Sequence, residues 1–570
     1  MNSNFVLYNK KKNIENMSQK YGITPLTSVI LCNRDVYDDS DIKMILSSDL
    51  NDLNDAKLLP DVDKAVSIIN EAITNKKKLM IVGDYDVDGV CATFILYDSL
   101  RKLSADVIYY IPDRFMDGYG INNNIIDYAI SEKVNLIVTC DNGISGGEQI
   151  SYAKNNGIDV IVTDHHDIAS IPKDAVAVVD PKRVDLSVKY PFAEICGAVV
   201  AMKLMMRYYE VYEHDTNYIL DTYLEFAAIA TISDIMPLVN ENHIIAKLGL
   251  KKILDTKNIG LKKLIEESGL LASAKKLTTY HIGFVIGPLI NAAGRMENAN
   301  EAIRLFISSD ESEVSELAIK LKEMNAKRKE MTENGIKLAI SEIEKTYKDD
   351  RVYVIYVKGL GEQVAGIVAG RIKDKYNKPT IILTDTTEEL VVKASCRSIE
   401  AYDIFSSLNA HSNMLLKFGG HKMAAGFSIL KKDIDELRTL LNDECKLTNQ
   451  DFVKKIYIDA EFPFYEMTEK FICDYEKLEP FGQKFTRPQF ATKEVNIKVM
   501  NVYGAEQNVL KLSLEKDMRR CKGVMFASAN EVKDKLDGLT DIVYYPKISD
   551  YMGDRLVEIN LVDFRKKPIL

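Results

Sequence analysis

The sequence predicts an α/β protein: a parallel-sheet domain joined by a long helix to a second α/β domain, followed by a small β-barrel. Three patterns predict this. Runs of Ile, Val and Leu alternate with helical patterns between residues 79 and 180. An apolar 3–4 spacing runs from 308 to about 346, and short strands with turns begin at about 451. A chain of 570 residues is also too long to fold around a single hydrophobic core.

Composition bounds the function. A hydrophobic content of 46% and a charged content of 28% are typical of a globular protein. The formal charge of −10 argues against a purely electrostatic nucleic-acid coat, but a nucleic-acid enzyme can carry a basic groove in an acidic exterior. No apolar run approaches the ~20 residues that span a bilayer, and the first residues lack the apolar core of a signal peptide. Eight scattered cysteines without a CxxC pair indicate reduced thiols. We therefore expect a cytoplasmic protein without membrane contact.

The first half of the chain divides into two predicted units. Residues 1–60 form a small helical N-terminal segment, and residues 61–307 form the first α/β domain, which opens with a helix at 61–75. Its strands are expected near 79–83, 106–111, 135–140, 159–163 and 176–179, and its helices near 90–102, 122–132 and 146–156. Residues 195–306 are expected to be mostly helical.

The second half contains three further predicted units. Residues 308–347 form the connecting helix, which starts at a sequence resembling a capping box; Arg328 and Gly335 interrupt its apolar stripe and disfavour a coiled coil. Residues 348–450 form the second α/β domain, with strands at 352–356 and 380–383, a helix at 365–376, and glycine-rich loops at 419–421 and 424–426. Residues 451–570 form the barrel, with strands at 455–458, 495–499, 509–514, 542–545 and 556–561.

Acidic residues gather where the strands of the first sheet end. Asp84, Asp86 and Asp88 follow one strand, Asp141 follows another, and Asp164 with His165 follows a third. Ligands of open parallel sheets bind beyond the carboxyl ends of the strands, so these groups are expected to converge. Carboxylates gathered with a histidine suit a pair of divalent cations, which is a common device for cutting phosphodiester bonds.

Each acidic cluster has a plainer alternative. Residues 84–89 match the start of an EF-hand loop, but position 12 would be Ile95 and the segment follows a strand, which leaves a metal site or a solvated turn. We interpret the alternating aspartates as an extended segment on which Asp86 and Asp88 share one cation pair. Asp141 lies in a turn-forming Asp-Asn-Gly triplet.

His165, His166 and Asp234 also have more than one interpretation. Neighbouring side chains do not easily point to one place, so one of His165 and His166 is expected to bind metal and the other to face substrate. An imidazole beside carboxylates favours Mn²⁺ over Mg²⁺ alone. Asp234 stands in an apolar helical pattern, where a carboxylate is costly unless it is paired or metal-bound. Asp180-Pro181 is interpreted as a turn after a strand.

Together the motifs resemble the DHH phosphoesterase superfamily and, more narrowly, its RecJ-type single-strand-specific 5′→3′ exonucleases. The resemblance covers about residues 60–570. It rests on residues 83–89, 141–143, 164–166, Asp234, 111–114 with 118–120, 291–295, 397–398, 419–421 and 478–482. It implies that 61–307 is a DHH catalytic domain, 348–450 a DHHA1 domain, and 451–570 an oligonucleotide-binding (OB-like) domain.

The resemblance also implies roles for individual residues. Two Mn²⁺ or Mg²⁺ ions would be bound, with Asp141 as the bridge; their ligands would be Asp86, Asp88, Asp141, His165 and Asp234. Asp84 would support these ligands, and His166 would touch the scissile phosphate, which makes Asp84, Asp141 and His166 the catalytic candidates. Phosphates and the strand path would be contacted by Arg114, Arg295, Arg397, Ser398 and His421.

The chain departs from the family pattern in three places. Residues 360–363 lack a histidine that the family carries there, and Val82 stands where many relatives have a histidine. The chain has no tryptophan, so base stacking must use Tyr or Phe.

The implied activity is two-metal hydrolysis of single-stranded DNA from the 5′ end, releasing 5′-mononucleotides in DNA recombination and repair. The expected partners are single-stranded DNA, a single-strand-binding protein and a helicase, and a monomer is expected. Three alternatives remain: a DHH enzyme for short RNA or cyclic dinucleotides, a pyrophosphatase or polyphosphatase, and an inactive DNA-binding scaffold. The chain length and the barrel disfavour the first, the barrel disfavours the second, and the complete set of candidate ligands disfavours the third.

Overall fold

The computed structural model of the protein describes residues 3–10, 14–47, 49–113, 120–187, 189–270, 276–504, 506–536, 538–551 and 554–566. The N-terminal region contains one strand and three helices: β1 (Asn4–Leu7), α1 (Ile14–Tyr21), α2 (Pro25–Asn33) and α3 (Asp39–Leu46). Two 3₁₀ turns, Leu50–Asp52 and Ala56–Leu58, lead to the next domain.

A five-stranded parallel sheet forms the centre of the first α/β domain, in the order β3-β2-β4-β5-β6. Its elements are α4 (Val62–Thr74), β2 (Leu79–Val82), α5 (Val87–Lys102), β3 (Val107–Tyr110), α6 (Asn123–Ser131), β4 (Leu136–Cys140), α7 (Gly147–Asn155), β5 (Asp159–Thr163) and β6 (Ala177–Val179). Strands β2 and β4 are buried throughout, because apolar clusters cover both faces of the sheet. The predicted parallel sheet is confirmed.

Helices complete this domain. They are α8 (Gly197–Val211), α9 (Thr216–Ser233), α10 (Glu241–Ile253), α11 (Ile259–Ser268), α12 (Thr279–His281), α13 (Gly287–Met296) and α14 (Asn300–Ile307). A π-helical turn at Ile282–Ile286 joins α12 to α13. Helices α8 and α9 are apolar around most of their surface and pack against α5, which places α5 in the core.

A long helix, α15 (Glu311–Glu342), leads to the second α/β domain. Its N-cap is Asp310, whose carboxylate accepts hydrogen bonds from the backbone N–H groups of Ser312 and Glu313. The second domain contains β7 (Tyr353–Tyr356), α16 (Glu362–Tyr376), β8 (Thr380–Asp385), β9 (Val391–Arg397), α17 (Ile404–Asn409), β10 (Leu415–His421), β11 (Ala424–Leu430) and α18 (Ile434–Asp443). Its mixed sheet has the order β10-β11-β9-β8-β7.

The predicted glycine-rich loops at 419–421 and 424–426 are wrong. These residues form the facing ends of β10 and β11, in which Gly419 pairs with Gly426 and Gly420 with Ala425. Glycine usually weakens a strand, which is why the sequence pattern indicated loops. Here the antiparallel backbone pairing holds the two strands together with small side chains at the pairing positions.

The C-terminal domain contains a barrel. Its elements are β12 (Lys455–Ile458), β13 (Ala460–Glu461), α19 (Glu469–Glu476), β14 (Phe490–Tyr503), β15 (Val509–Lys516), β16 (Arg519–Phe526), α20 (Ala529–Leu536), β17 (Gly538–Tyr551) and β18 (Asp554–Lys566). The sheet runs β13-β14-β15-β16-β18-β17, and pairing of β14 with β17 closes it. The predicted barrel is confirmed, although β13 and β16 were not predicted and β14, β17 and β18 are longer than expected.

The N-terminal region packs against this barrel. Strand β1 pairs in parallel with β12, and apolar residues of α2 and α3 share a core with the barrel. The guanidinium of Arg34 forms a buried ion pair with Asp459, and Asn33 donates a hydrogen bond to the same carboxylate at 2.9 Å. Among the described residues, no helix has both the length and the apolar character needed to cross a membrane.

Candidate metal centre and adjoining cleft

The loop after β2 carries three of the candidate ligands. Asp86 is the N-cap of α5: its carboxylate accepts hydrogen bonds from the N–H groups of Asp88 (2.9 Å) and Gly89 (3.1 Å). Asp88 lies in the first turn of that helix. The interpretation of residues 84–88 as an extended segment is therefore wrong, because Asp86 starts a helix that turns Asp88 away from the strand direction.

Asp88 is fixed by a second helix. Its two carboxylate oxygens accept hydrogen bonds from the N–H groups of Gly197 (2.6 Å) and Ala198 (2.7 Å), the first residues of α8. A helix N-terminus stabilises negative charge, which suits a buried aspartate. Gly197 also lies against Asp141: a Cβ at this glycine would be 2.7 Å from the Cβ of Asp141. The N-terminus of α8 therefore packs against two candidate ligands that are distant in sequence.

Asp141 follows β4 and has a backbone φ of +61°. The next residue, Asn142, is buried, and its amide donates to the carbonyls of Val82 (3.1 Å) and Cys140 (2.9 Å). Asn142 thus ties together the carboxyl ends of β2 and β4. The imidazole Nε2 of His165 lies 3.0 Å from the Asp141 carboxylate, so loops after β4 and β5 also meet here.

Asp164 organises the two histidines. One of its carboxylate oxygens accepts from the backbone N–H of His165 (2.7 Å), from that of His166 (3.2 Å) and from Nδ1 of His166 (2.7 Å). The other oxygen accepts from the N–H of Ile144 at 3.0 Å. Asp164 was expected to lie at this edge of the sheet but was given no role, although its place directly before both histidines was an available signal.

Asp234 reaches the same place from α9. It is the C-cap residue of that helix and lies beyond its apolar body, with its side chain 31% exposed. Its carboxylate is 3.9 Å from Nε2 of His165, and the carboxylate of Asp88 is 3.5 Å from the same nitrogen.

These side chains form three sets of possible metal ligands. In each set one donor atom per residue lies within 4.8 Å of the others: Asp84, Asp86 and Asp141; Asp88, His165 and Asp234; and Asp141, His165 and His166. Asp86 and Asp88 were expected to bind the same pair of cations. They fall in different sets, so each would contact a different ion of the pair. Asp141 belongs to two sets, as a bridging ligand would, and Asp84 lies close enough to donate directly.

The electrostatics of the site fit bound cations. Burial and then the neighbouring Asp88 raise the pKa of Asp141 well above its usual range and also raise the pKa of Asp86. The same two causes raise the pKa of Asp234 to about 8. Burial lowers the pKa of His165, so its ring is neutral and can ligate a metal. Crowded carboxylates with a neutral imidazole match the donors that Mn²⁺ and Mg²⁺ take.

His166 differs from His165. Burial opposes its protonation, but the hydrogen bond and charge of Asp164 raise the pKa of His166 to about 9. Its side chain is 45% exposed, whereas that of His165 is 8% exposed. The two adjacent histidines therefore have different surroundings.

A cleft of about 600 Å³ opens beside the metal ligands, between the first and second α/β domains. Tyr85, between Asp84 and Asp86, lines it from one side, and α16 and β9 line it from the other. Its basic side chains are Arg295, Arg371, Lys393 and Arg397, against Glu362 and Asp374. Arg371 and Lys393 were not predicted. The surplus of ten Lys and Arg over seven Asp and Glu in residues 351–430 was the only sequence signal for them.

Arg295 enters the cleft through a tight contact. A Cβ at Gly294 would lie 2.3 Å from the carbonyl oxygen of Tyr85, so α13 packs directly on the ligand loop. The guanidinium of Arg295 donates to the carbonyl of Gln363 at 3.2 Å, across the two domains.

The other residues predicted to contact the DNA strand lie in different surroundings. Pairing of His421 with Ala424, and of Ala424 with Arg397, puts Arg397 and His421 in one row across the second sheet. Ser398 is buried, and its hydroxyl donates to the carbonyl of Tyr402 at 2.7 Å. The contact of Ser398 with DNA stays a prediction. Arg114 lies outside the described residues.

Comparisons with known proteins agree with this architecture. Residues 78–231 match the model of the DHH family N-terminal domain, residues 349–447 match that of the DHHA1 domain, and residues 458–563 match that of the RecJ OB domain.

Two proteins described as single-stranded-DNA-specific exonuclease RecJ are similar in sequence. The one from Bacillus subtilis (strain 168) is 33% identical over 90% of this chain, which spans 64% of its length. The one from Haemophilus influenzae is 31% identical over 95% of this chain and 96% of its own.

Two solved structures resemble the fold. RecJ from Thermus thermophilus in complex with Mn²⁺ superposes with a TM-score of 0.83 and 23% identity, covering 100% of this chain and 80% of that one. An exonuclease RecJ bound to manganese superposes with a TM-score of 0.58 and 30% identity, over 68% of this chain and 94% of that one. With identity above 30% along nearly the full length of a relative, and with matches to the DHH, DHHA1 and RecJ OB domain models, this chain belongs to the RecJ family.

Proposed function

We propose that this protein is a single-stranded-DNA-specific 5′→3′ exonuclease that uses two Mn²⁺ or Mg²⁺ ions and releases 5′-mononucleotides. The observation that carries the proposal is the continuity of the ligand loop and the basic cleft. Tyr85, which stands between two candidate ligands, lines the same cavity as Arg397. A strand end held by the cleft would therefore present its first phosphodiester to the metal centre.

The proposed division of labour at the metal centre follows the ligand sets. Asp86, Asp88, Asp141, His165 and Asp234 would hold the two ions, and Asp84 would join the set at Asp86 and Asp141. Bound there, two divalent ions would lower the pKa of the attacking water and neutralise charge on the leaving oxygen. His166, anchored through Nδ1 to Asp164 and partly exposed, is proposed to donate a hydrogen bond to the scissile phosphate.

The cleft accounts for the choice of strand end. Four cationic side chains in about 600 Å³ suit a doubly charged terminal phosphate, and arginine binds phosphate through paired hydrogen bonds. A 5′ end carries that doubly charged phosphate, whereas a 3′-hydroxyl end brings less negative charge to these cationic side chains. A cavity of this size is typical of sites for small ligands, so it admits a single-strand end and excludes a duplex.

The barrel supports a polymeric substrate. OB-type barrels bind single strands through basic grooves and aromatic side chains. Single-stranded DNA produced by a helicase and covered by a single-strand-binding protein is the proposed substrate in the cell, within cytoplasmic recombination and repair. We propose that the protein acts as a monomer, because the ligand sets and the cleft are built from one chain.

The alternative is a DHH phosphodiesterase that acts on short RNA, pyrophosphate or polyphosphate. The same ligand sets would serve these reactions, but small or inorganic substrates need no strand-binding barrel.

A time course with Mn²⁺ on single-stranded DNA, labelled at the 5′ end in one reaction and at the 3′ end in another, tests the proposal. A blunt duplex, a short RNA and pyrophosphate run beside it. We expect immediate release of 5′-labelled mononucleotide, stepwise shortening of the 3′-labelled strand and an intact duplex. Turnover of RNA or pyrophosphate without DNA cleavage would overturn the proposed substrate.

A variant pair tests the metal assignment. Asp141→Ala should abolish hydrolysis while single-strand binding, measured by fluorescence anisotropy, persists. Asp127→Ala removes an exposed carboxylate from α6 of the same domain and should leave both unchanged. Full turnover by Asp141→Ala would refute the assignment.

A further inference from the structure

We infer that Tyr280 and Phe284 form an aromatic platform on which unpaired bases of the DNA strand stack between the metal centre and the barrel. The inference rests on the proposed function and deepens it by assigning a base-contacting site outside the cleft. Neither residue belongs to the ligand sets or lines the cleft.

The two rings are exposed and stack on each other. Tyr280 is 61% exposed and Phe284 is 58% exposed, and their rings stack with centroids 5.0 Å apart and an interplanar angle of 24°. They lie four residues apart across the start of the π-helical turn, a spacing that puts side chains on one helical face. A Cβ at Gly283, between them, would meet no atom within 4 Å, so the adjoining surface is open.

The platform stands on a segment that runs from the barrel domain to the metal centre. At one end, the hydroxyl of Thr279 donates to the carbonyl of Phe481 at 2.8 Å. At the other end, Gly287 packs on Ser233, since a Cβ at Gly287 would lie 2.7 Å from the Ser233 hydroxyl oxygen. Ser233 directly precedes the candidate ligand Asp234. A strand passing from the barrel to the ions along this segment crosses Tyr280 and Phe284.

A second segment also connects the metal centre to the barrel domain, and it too exposes an apolar side chain. The loop after Asp234 reaches the barrel domain where the N–H of Leu238 donates to the carbonyl of Gln483 at 2.9 Å. Within that loop, Ile235 is 69% exposed and has a φ of +57°. A β-branched residue in the left-handed region is strained, and such strain concentrates at functional sites.

The chemistry of this surface suits unpaired bases. Every base has a π face, so stacking holds a strand without selecting its sequence. The chain has no tryptophan, which leaves Tyr and Phe to supply such stacking. The platform also continues a path whose two ends, the barrel and the metal centre, already belong to the proposed DNA route.

The first measurement is direct. A strand carrying 2-aminopurine at successive positions from its 5′ end is bound to the full-length protein, and quenching of its fluorescence reports stacking. We expect quenching at one or two positions in the wild type, lost in the Tyr280→Ala/Phe284→Ala double variant and kept in Tyr280→Phe. Tyr152→Ala, an exposed tyrosine on α7, is the matched control. Unchanged quenching in the double variant would overturn the inference.

The second measurement uses hydrolysis. Loss of stacking should lower kcat/KM on a long oligonucleotide about 10-fold, since stacking on aromatic side chains contributes that order of affinity per base. We place the platform beyond the first two nucleotides of the bound strand, so the kcat/KM of a dinucleotide should not change. An equal loss on both substrates would indicate damage to the metal centre and overturn the inference. A wild type that cleaves no DNA would instead overturn the proposed function, while position-specific quenching would still support the platform.

Discussion

Replacing Asp164 by asparagine tests whether this buried carboxylate holds the residues of the metal centre in place. One of its oxygens serves three donors and the other serves the N–H of Ile144. Asparagine has a single acceptor oxygen, so its NH₂ group must face either the histidines or Ile144. One buried donor then loses its partner, at a cost of about 1–3 kcal/mol. The hydrogen bond from the His166 ring also loses its charge assistance.

The loss should appear in metal affinity. Asp164 holds the candidate ligand His165 through its backbone N–H, and mutation of groups that position metal ligands typically changes affinity or activity by about 10–100-fold. That range corresponds to roughly 1.4–2.7 kcal/mol, in agreement with the cost of the lost hydrogen bond. We therefore expect the half-saturating Mn²⁺ concentration of Asp164→Asn to rise by about 10–100-fold. It is measured by titrating Mn²⁺ into the hydrolysis assay and by calorimetry without DNA.

Asp167→Asn is the matched control. It removes the same formal charge three residues later, but the Asp167 side chain is 97% exposed and pairs only with Lys182 among the contacts described for it. Its Mn²⁺ dependence should equal that of the wild type. The reasoning fails if Asp164→Asn titrates like the wild type, or if Asp167→Asn shifts the Mn²⁺ dependence as far.

Three further predictions concern other parts of the molecule. Gly294→Ala should lower kcat by about 10-fold or more with little change in melting temperature. The added methyl displaces the Tyr85 loop, and a small misplacement of catalytic groups costs that order of rate. Unchanged kinetics would contradict this prediction. Arg34→Met should destabilise the barrel region by about 3–5 kcal/mol in denaturant unfolding, because Asp459 is left buried without its cation; a loss below that of an exposed-pair variant would contradict it. Because the pKa of Asp234 is raised to about 8, its proton must leave when metal binds. Mn²⁺ affinity should therefore rise with pH through about 8, and calorimetry in buffers of different ionisation enthalpy should show proton release. A flat profile would refute the assignment.

The sequence predicted the parallel sheet and the convergence at its edge because both depend on local signals. Continuous apolar runs fix buried strands, and the residues just after each run must lie at one edge of the sheet. Asp141 and His165 could therefore be placed near Asp88 before any contact was known.

The details that failed depend on contacts with distant parts of the chain. Asp86 caps a helix, which removes the extended geometry expected for residues 84–88. The hairpin at 415–430 is held by backbone pairing, which a glycine-rich pattern does not reveal.

The pairing of the N-terminal region with the barrel has a consequence for synthesis of the chain. Arg34 and its partner Asp459 are 425 residues apart, and β1 pairs with β12 over a similar separation. At typical translation rates of about 5–20 residues per second, the first helices wait roughly 20–85 seconds for their binding surface. During that time the edge of β1 and the guanidinium of Arg34 lack the partners that they have in the folded protein. The nascent chain should therefore depend on chaperone protection until the ribosome has passed the barrel.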